Sequence, residues 1–302
     1  MKDVLGRVLP RIGGIETLDR LAALSGSDLT TVMLEVARRR AARETPASVL
    51  RRYERDRFVR PGPAAGPIRR AEDALLGCLP GDVEVLLLAP LVPLGAHSAL
   101  GPVSQDKVVS TVRACEVAAD PTNALALEAA SRRAHAREPL APVRLAAVQR
   151  VVRAQRFGPG MFPHFGLFGL VTAGRDTGSL EFERSALAGQ LEIAVRGVAA
   201  AGAGDAQIAL TPLSDRGERI AAVVSADLAG VVTDRDRQAG RGYYRDLCFK
   251  VNAYADGEPR EIGDGGFTDW TARLTANQKE RLLITGLSTD RLAAMAPPGR
   301  SG

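Results

Sequence analysis

The stretch from Val143 to Glu183 limits the fold more than any other part of this chain. Apolar and polar residues alternate up to Ala154, as in a half-buried β-strand, and a second, mostly apolar run extends from Phe165 to Thr172. Between them, Gly158-Pro159-Gly160 predicts a turn. The pattern therefore predicts a β-ribbon of two antiparallel strands.

Two arginines, Arg153 and Arg156, stand just before the predicted turn. A guanidinium presents a planar fork of donors that matches phosphate oxygens, so two of them beside a glycine-rich loop suit a polyanion. An ordinary exposed hairpin with solvated arginines would have the same sequence. On the ribbon alone, both interpretations stay open.

The length of 302 residues, with 45% hydrophobic residues, allows one large domain or a domain with a small appendage. No run approaches 18 apolar residues, and the start lacks the apolar core of a signal peptide, so a cytoplasmic protein is expected without membrane partners. Three distant cysteines, Cys78, Cys115 and Cys248, indicate reduced thiols, and the three histidines lack the spacing of a zinc site.

The net charge of +5 and the pI near 9.4 raise the question of nucleic-acid binding. Only four of the forty basic residues are lysine, and the chain is rich in Ala, Arg, Gly and Pro. Coding composition produces the same bias. The charge alone therefore does not decide for a nucleic acid.

Residues 1–62 are predicted to form a helical N-terminal appendage. Leu29, Met33 and Val36 have helical spacing after Ser27 and Asp28, which can cap the helix, and Thr45-Pro46 ends it. A second, arginine-rich helix covers residues 48–60. These helices could be an arm for tRNA or a carrier protein, or could pack on the main domain.

Prolines and glycines in residues 61–67 predict a linker. We expect one domain over residues 66–296 and a flexible tail over residues 297–302. In that domain the sequence predicts a helix at 68–79, a strand at 83–93, a strand through Val109 and Val112, and a helix from Ala124 capped by Asp120 or Thr122. Further on we expect a helix at 184–202, a strand at 207–213, and two strands around a turn at Asp256-Gly257 followed by a glycine-rich bend.

Four of these segments, in this order, resemble motifs of the class II aminoacyl-tRNA synthetases, particularly the histidyl branch. The helix and strand ending near Pro90 resemble motif 1, and the ribbon with Arg153 resembles motif 2. Tyr243-Tyr244 and the later Gly265-Gly266-x-x-Asp269 match a histidyl-specific segment. The strand and helix of residues 282–292, with Asp290-Arg291-Leu292 in place of Glu-Arg-Leu, resemble motif 3.

The resemblance implies an α+β fold, a class II synthetase-like antiparallel sheet flanked by helices, and a homodimer formed through the motif 1-like strand. It also implies a site for ATP, Mg²⁺ and an amino acid or other carboxylic acid. Arg153 would bind the α-phosphate and Arg291 the γ-phosphate as the catalytic groups. The remaining expected contacts are Arg156 and Phe165 for the nucleotide, Thr122, Tyr243, Tyr244, Arg241, Gly265 and Gly266 for the acid, and Glu181 and Glu183 for the metal.

Three positions depart from the family pattern. Gln155 replaces an acid in motif 2, Thr122 stands where a Glu holds the substrate ammonium, and Ala239 stands where an Arg assists adenylation. Asp120 or Glu116 could replace the lost Glu. After motif 3 the sequence leaves no room for an anticodon-binding domain.

Three functions therefore stay open. The first is an ATP-dependent ligase that forms an acyl-adenylate for an unknown acceptor. The second is a non-catalytic, metabolite-sensing paralogue similar to the regulatory subunit of ATP phosphoribosyltransferase. The third is an RNA-binding or scaffold protein that uses the basic N-terminal helices.

Overall fold

The computed structural model describes residues 2–138, 140–158, 161–228, 230–255 and 257–296. The helices along these ranges are α1 (Lys2–Val8), α2 (Ile15–Ala22), α3 (Gly26–Ala41), α4 (Pro46–Arg55), α5 (Ala65–Gly77), α6 (Ala96–Leu100), α7 (Pro121–Ala134), α8 (Glu181–Ala200), α9 (Asp215–Asp227), α10 (Trp270–Leu274) and α11 (Thr289–Met295). The strands are β1 (Glu84–Val85), β2 (Leu91–Pro93), β3 (Cys115–Val117), β4 (Val143–Val152), β5 (His164–Arg175), β6 (Ala206–Pro212), β7 (Val231–Thr233), β8 (Arg245–Ala255), β9 (Glu258–Thr268) and β10 (Glu280–Ser288). Short 3₁₀ helices cover Leu9–Ile12 and Gln105–Lys107.

One large sheet organises the domain, with the strand order β1-β4-β5-β10-β9-β8-β6-β7. The six central strands pair antiparallel, whereas β1 and β7 join the two edges in parallel. A separate antiparallel pair consists of β2 and β3. The expected α+β architecture, an antiparallel sheet flanked by helices, is confirmed.

The predicted ribbon is the pair β4 and β5, in register from Val143 opposite Ala173 to Val152 opposite His164. Its turn falls partly on Pro159 and Gly160, which lie outside the described residues, as do Asp256 of the second predicted turn and the tail at residues 297–302. The predicted motif 3 segment is β10 followed by α11. Both motifs therefore have the secondary structure that the sequence predicts.

The two faces of the sheet bury different apolar clusters. Helices α5, α8, α9 and α11 cover one face with residues such as Leu75, Leu187 and Ile220. Helices α7 and α10 cover the other face, where Leu125 and Trp270 are buried. Burial of these apolar side chains is the main favourable contribution to folding. The second face also leaves space for a cavity beside α7.

The apolar run at residues 83–93 was expected to be one strand, and this prediction is wrong. Glu84 and Val85 form the short strand β1 beside β4, Leu86 adds one backbone hydrogen bond to Ala146, and residues 86–90 separate β1 from β2. Leu87 is 100% exposed because no neighbouring strand or helix covers it. The run therefore enters the core only in part, through the buried Val83 and Val92, while Leu87 stays at the surface.

Two glycine- and proline-based boundaries also differ from the prediction. The expected glycine-rich bend is instead part of the strand β9. Glycine suits this strand position because a Cβ on Gly265 would lie 2.4 Å from the carbonyl oxygen of Ile284 and from the Phe249 ring. The expected linker ends early, because α5 begins at Ala65 with Pro67 in its first turn. A proline is tolerated there because its missing N–H has no intrahelical partner.

The N-terminal segment is helical, as predicted. Ser25 caps α3 by accepting from the Asp28 backbone N–H, two residues before the predicted cap. Helix α3 ends at Ala41, four residues before the predicted end at Thr45, and Thr45 instead caps α4 in a reciprocal capping box with Ser48. No residue from Val4 to Arg60 is buried, so in the described chain the apolar faces of these helices are not covered by the main domain. Among the described residues, no helix is both long and apolar enough to cross a membrane.

Candidate functional site

A cavity of about 310 Å³ lies on the second face of the sheet, between α7, the end of β4 and the loop before β8. Its charged lining residues are Lys107, Asp120, Arg153 and Asp264. Its hydroxyl-bearing lining residues are Thr122, Tyr243 and Tyr244. The cavity thus brings together segments that are more than 150 residues apart in sequence.

Asp120 begins α7 and one of its oxygens caps the helix. Its Oδ1 accepts hydrogen bonds from the Thr122 backbone N–H (2.9 Å) and from the Thr122 hydroxyl (2.7 Å). Its Oδ2 pairs with Nη2 of Arg153 at 3.3 Å. Both carboxylate oxygens of Asp120 therefore already have partners.

Arg153 follows the last residue of β4 and turns into the cavity. Its Nε donates to the carbonyl oxygen of Ala119 at 2.9 Å, and its Cζ lies 5.1 Å from the centre of the Phe165 ring. With Nη2 paired to Asp120, Nη1 has no hydrogen-bond partner in the described part of the chain. This nitrogen can donate to an anionic group of a ligand.

His97 and Asn123 are both buried, line the cavity and are hydrogen-bonded to each other. The Ala119 backbone N–H donates to Nε2 of His97 at 3.0 Å, so the other ring nitrogen, Nδ1, carries the proton. Nδ1 then donates to Oδ1 of Asn123 at 2.8 Å. The amide nitrogen of Asn123 is also buried, and it has no hydrogen-bond partner among the described residues.

Glu116 fixes the loop that carries His97. Its carboxylate accepts from the backbone N–H groups of Gly95 and His97 (both 3.1 Å) and from Nε2 of Gln105 (2.6 Å). Burial alone would raise the pKa of Glu116, but these hydrogen bonds outweigh it and hold the pKa below its ordinary value. Of the two acids predicted to replace the lost Glu, Asp120 lines the cavity and Glu116 does not.

Tyr243 and Tyr244 lie in the loop before β8 and wall one side of the cavity. Their rings meet edge to face at 5.0 Å, and the Tyr243 ring contacts Trp270 in the same way at 5.3 Å. Burial raises the pKa of both hydroxyls well above the ordinary value. Both hydroxyls are therefore neutral hydrogen-bonding groups at physiological pH.

Sequence reasoning missed two residues, Asp264 and Arg237. Asp264 lies on β9, one residue before Gly265, and faces the cavity. Arg237 is buried and donates to Oδ2 of Asp264 (2.8 Å) and to two carbonyl oxygens, those of Phe249 (2.9 Å) and Ala239 (2.8 Å). Strand alternation was the available signal, because it places Asp264 on the same face as Gly266.

Several predicted site residues lie elsewhere. Arg291 is exposed, and its Nη1 donates to the carbonyl oxygen of Glu261 at 2.8 Å. Arg156 and Arg241 are exposed and do not line the cavity, and neither do Gly265 and Gly266. From the predicted set, the cavity therefore gathers Arg153, Thr122, Tyr243 and Tyr244, together with Gln155.

The two carboxylates expected to hold Mg²⁺ are not brought to the cavity. Glu181 is exposed and pairs with Arg184, whereas Glu183 is buried and pairs with Arg216 (2.5 Å) and Arg281 (3.4 Å). These ion pairs lie on α8, on the opposite face of the sheet. Within the described ranges, no group of three or more His, Cys, Asp or Glu side chains could hold a metal ion.

The antiparallel sheet, its flanking helices and the order of its motifs define a class II aminoacyl-tRNA synthetase-like core. Compared with family models and with curated protein sequences, the chain matches none. Solved structures do match it. One is an ATP phosphoribosyltransferase regulatory subunit/histidyl-tRNA synthetase from Bacillus halodurans, with a TM-score of 0.62 and 13% identity over 80% of this chain and 82% of that chain.

Two further structures are similar. The histidine–tRNA ligase subunit from Alicyclobacillus acidocaldarius has a TM-score of 0.60 and 16% identity over 79% of this chain and 95% of that one. The apo histidyl-tRNA synthetase of S. aureus has a TM-score of 0.57 and 15% identity over 76% of this chain and 64% of that one. At such identities the similarity establishes the fold.

Proposed function

We propose that this chain binds an amino-acid-sized polar metabolite in the cavity and acts as a non-catalytic sensing or regulatory relative of the synthetases. The observation that carries the proposal is the free Nη1 of Arg153 in a cavity that Thr122 and Tyr243 also line. A guanidinium nitrogen without a partner is a strong donor to a carboxylate. Arg153 would therefore bind the carboxylate of the ligand.

The size of the cavity favours a small ligand. Small-molecule sites usually enclose about 300–1,000 Å³, and this cavity of about 310 Å³ is at the lower limit. The residue expected at the far phosphate of ATP, Arg291, donates instead to the backbone of Glu261. The geometry thus suits an amino acid better than an amino acid together with ATP.

A second candidate is the ATP-dependent formation of an acyl-adenylate. Lys107 and Arg153 both line the cavity and give it two cations that suit a phosphate. ATP would supply the phosphoryl chemistry in this reaction. The two carboxylates predicted to bind Mg²⁺, Glu181 and Glu183, do not fit a metal site because each forms an ion pair with an arginine. The two candidates differ in whether ATP is required.

Isothermal titration calorimetry separates them. We expect one or more of the twenty standard L-amino acids to bind without ATP, and Arg153→Ala to weaken binding by about 1.5–3 kcal/mol, at least 10-fold in Kd. Arg156→Ala is the matched control, because this arginine is exposed and outside the cavity. Absence of amino-acid binding up to millimolar concentrations would refute the proposal. Binding of ATP with Mg²⁺ that both Arg153→Ala and Arg291→Ala weaken would favour adenylation.

The predicted homodimer is retained as part of the proposal. Leu87 is completely exposed, and Val85, Leu91 and Leu94 are between 43% and 53% exposed. An apolar stripe of this kind is typical of an interface between subunits. A second subunit would cover it.

The N-terminal helices remain a candidate contact for tRNA or a carrier protein. Residues 1–60 contain 13 of the 40 basic residues and 8 of the 35 acidic ones, so they carry the whole net charge of +5. One surface depression beside α4 is lined by four arginines, Arg51, Arg52, Arg55 and Arg57. Salt-dependent binding of tRNA that is lost on removal of residues 1–60 would support this role. A cytoplasmic location stays a prediction.

A further inference from the structure

The loss of the family's Glu at Thr122 leaves open how a ligand ammonium would be recognised. We propose that Asp264, on β9, binds the amino group of the ligand, with Arg237 as its positioning residue. The cavity would then select primary amines over the same carboxylic acids without an amino group. This inference rests on the proposed function and assigns the second half of the ligand.

The two cavity carboxylates differ in what they have left to offer. Asp120 uses Oδ1 for Thr122 and Oδ2 for Arg153. Asp264 uses only Oδ2, for Arg237, and its Oδ1 has no hydrogen-bond partner among the described residues. The Asp264 side chain is 42% exposed, so this oxygen is accessible. Asp264 is therefore the carboxylate that can accept a new hydrogen bond.

Arg237 acts through Asp264 and does not reach the ligand. Its side chain is only 2% exposed, and Nε, Nη1 and Nη2 all donate to protein oxygens. The two carbonyl bonds fix the guanidinium between the loop before β8 and β8 itself. Burial raises the pKa of Asp264, and the positive charge of Arg237 opposes this rise. Arg237 therefore helps to keep Asp264 ionised as well as oriented.

The strand register leaves room for a ligand at Asp264. Asp264 is opposite Gly286 on β10, and Gly286 also lines the cavity. A Cβ on Gly286 would meet no atom within 4 Å. An ammonium group can therefore approach Asp264 without displacing a side chain.

The charge balance also suits a zwitterion. Two carboxylates, Asp120 and Asp264, and two cations, Lys107 and Arg153, line the cavity. Tyr243 lines the cavity together with both carboxylates, and its hydroxyl is a neutral hydrogen-bonding group for the ligand. A ligand with its carboxylate at Arg153 and its ammonium at Asp264 would satisfy the free group at each position.

The test compares matched ligands by calorimetry. The probes are the L-amino acid that binds best and the same acid with hydrogen in place of its α-amino group. We expect the wild type to prefer the amino acid by at least 10-fold. Asp264→Asn should reduce affinity for the amino acid by at least 10-fold and change affinity for the des-amino acid by less than 3-fold.

Two further variants complete the design. Asp269→Asn is the control, because Asp269 also pairs with an arginine, Arg245, but lies outside the cavity. Arg237→Met should raise the pH below which amino-acid binding is lost, because Asp264 then protonates more easily. A residue that only supports the fold would not shift this pH profile.

The outcomes are distinguishable. Suppose that the wild type binds amino acids. If Asp264→Asn has the same affinity for them, or loses affinity for the amino acid and the des-amino acid to the same extent, the role of Asp264 is refuted and the proposed function stands. Equal affinity of the wild type for the amino acid and the des-amino acid also refutes the role of Asp264. If no amino acid binds the wild type, the proposed function and this inference fail together.

Discussion

The carboxylate of Glu116 is expected to hold together the loop behind the cavity, and Glu116→Gln tests this directly. Glu116 is completely buried and accepts three hydrogen bonds, two of them from backbone N–H groups. A glutamine keeps one oxygen and replaces the other by a donor. Gln105 can turn its own amide to adapt, but one backbone N–H, of Gly95 or His97, then faces an N–H group.

The magnitude follows from that count. Losing one hydrogen bond to a charged group costs about 1.5–3 kcal/mol, and leaving a buried donor without a partner adds about 1–3 kcal/mol. We expect the free energy of unfolding to fall by about 3 kcal/mol or more at pH 7. The melting temperature should then fall by roughly 6–12 °C. Urea unfolding followed by circular dichroism measures the first quantity and calorimetry the second.

The control is Glu128→Gln on α7. Glu128 is partly exposed and pairs with Arg132 four residues later, so its loss should cost less than about 1 kcal/mol. If Glu116→Gln also costs less than about 1 kcal/mol, the reasoning is refuted. This result would mean that the loop does not depend on the buried carboxylate.

The same substitution has a defined pH dependence. The pKa of Glu116 is lower in the folded than in the unfolded protein. Its contribution to stability is therefore complete above the unfolded pKa and is lost as the pH falls through the folded pKa. The stability difference between wild type and Glu116→Gln should be largest at neutral pH and should shrink in acid. A difference that stays constant down to strongly acidic pH would contradict this assignment.

Three further predictions concern the core, the cavity and the subunit interface. Arg133→Met should destabilise the protein by about 3 kcal/mol in urea unfolding, because the buried Glu280 loses its bidentate partner and keeps only the longer contact with Arg175 at 3.4 Å; a loss below about 1 kcal/mol would contradict this. Gly286→Leu should abolish amino-acid binding in calorimetry and leave the melting temperature nearly unchanged, because its side chain would enter the open space of the cavity; unchanged binding would refute the location of the site. Leu87→Glu should shift the protein toward monomer in analytical ultracentrifugation without affecting folding, since Leu87 is fully exposed; an unaltered dimer would exclude the proposed interface.

Much of the secondary structure was predictable because local signals carry it. The alternation in residues 143–154 and the apolar run at 165–172 predicted β4 and β5. Asp120 was one of two caps predicted for the helix expected from Ala124, and it caps α7, which begins at Pro121. The prediction failed where burial depended on distant partners. The run at 83–93 is as apolar as a core strand, but its backbone pairing with β4 stops at Leu86 and Leu87 is fully exposed.

The candidate site was predictable only in part. Arg153, Thr122 and the tyrosine pair could be inferred from motif order, and the structure places all of them at one cavity. Arg291 and Glu183 were inferred from the same motifs but do not line the cavity. Arg291 donates to a backbone carbonyl oxygen, and Glu183 forms ion pairs with two arginines. No motif indicated Arg237, whose role depends on contacts with Phe249 and Asp264.

The sequence by itself determined the ribbon of β4 and β5, the strand and helix of β10 and α11, and the helical character of the N-terminal segment, because periodicity and capping act over a few residues. Only the tertiary structure decided which polar side chains share the cavity and which carboxylate keeps a free oxygen. Asp120 and Asp264 are 144 positions apart and equally acidic in sequence. Thr122 and Arg153 occupy both oxygens of the first, whereas Arg237 occupies only one oxygen of the second, and this difference in contacts exists only in the folded chain.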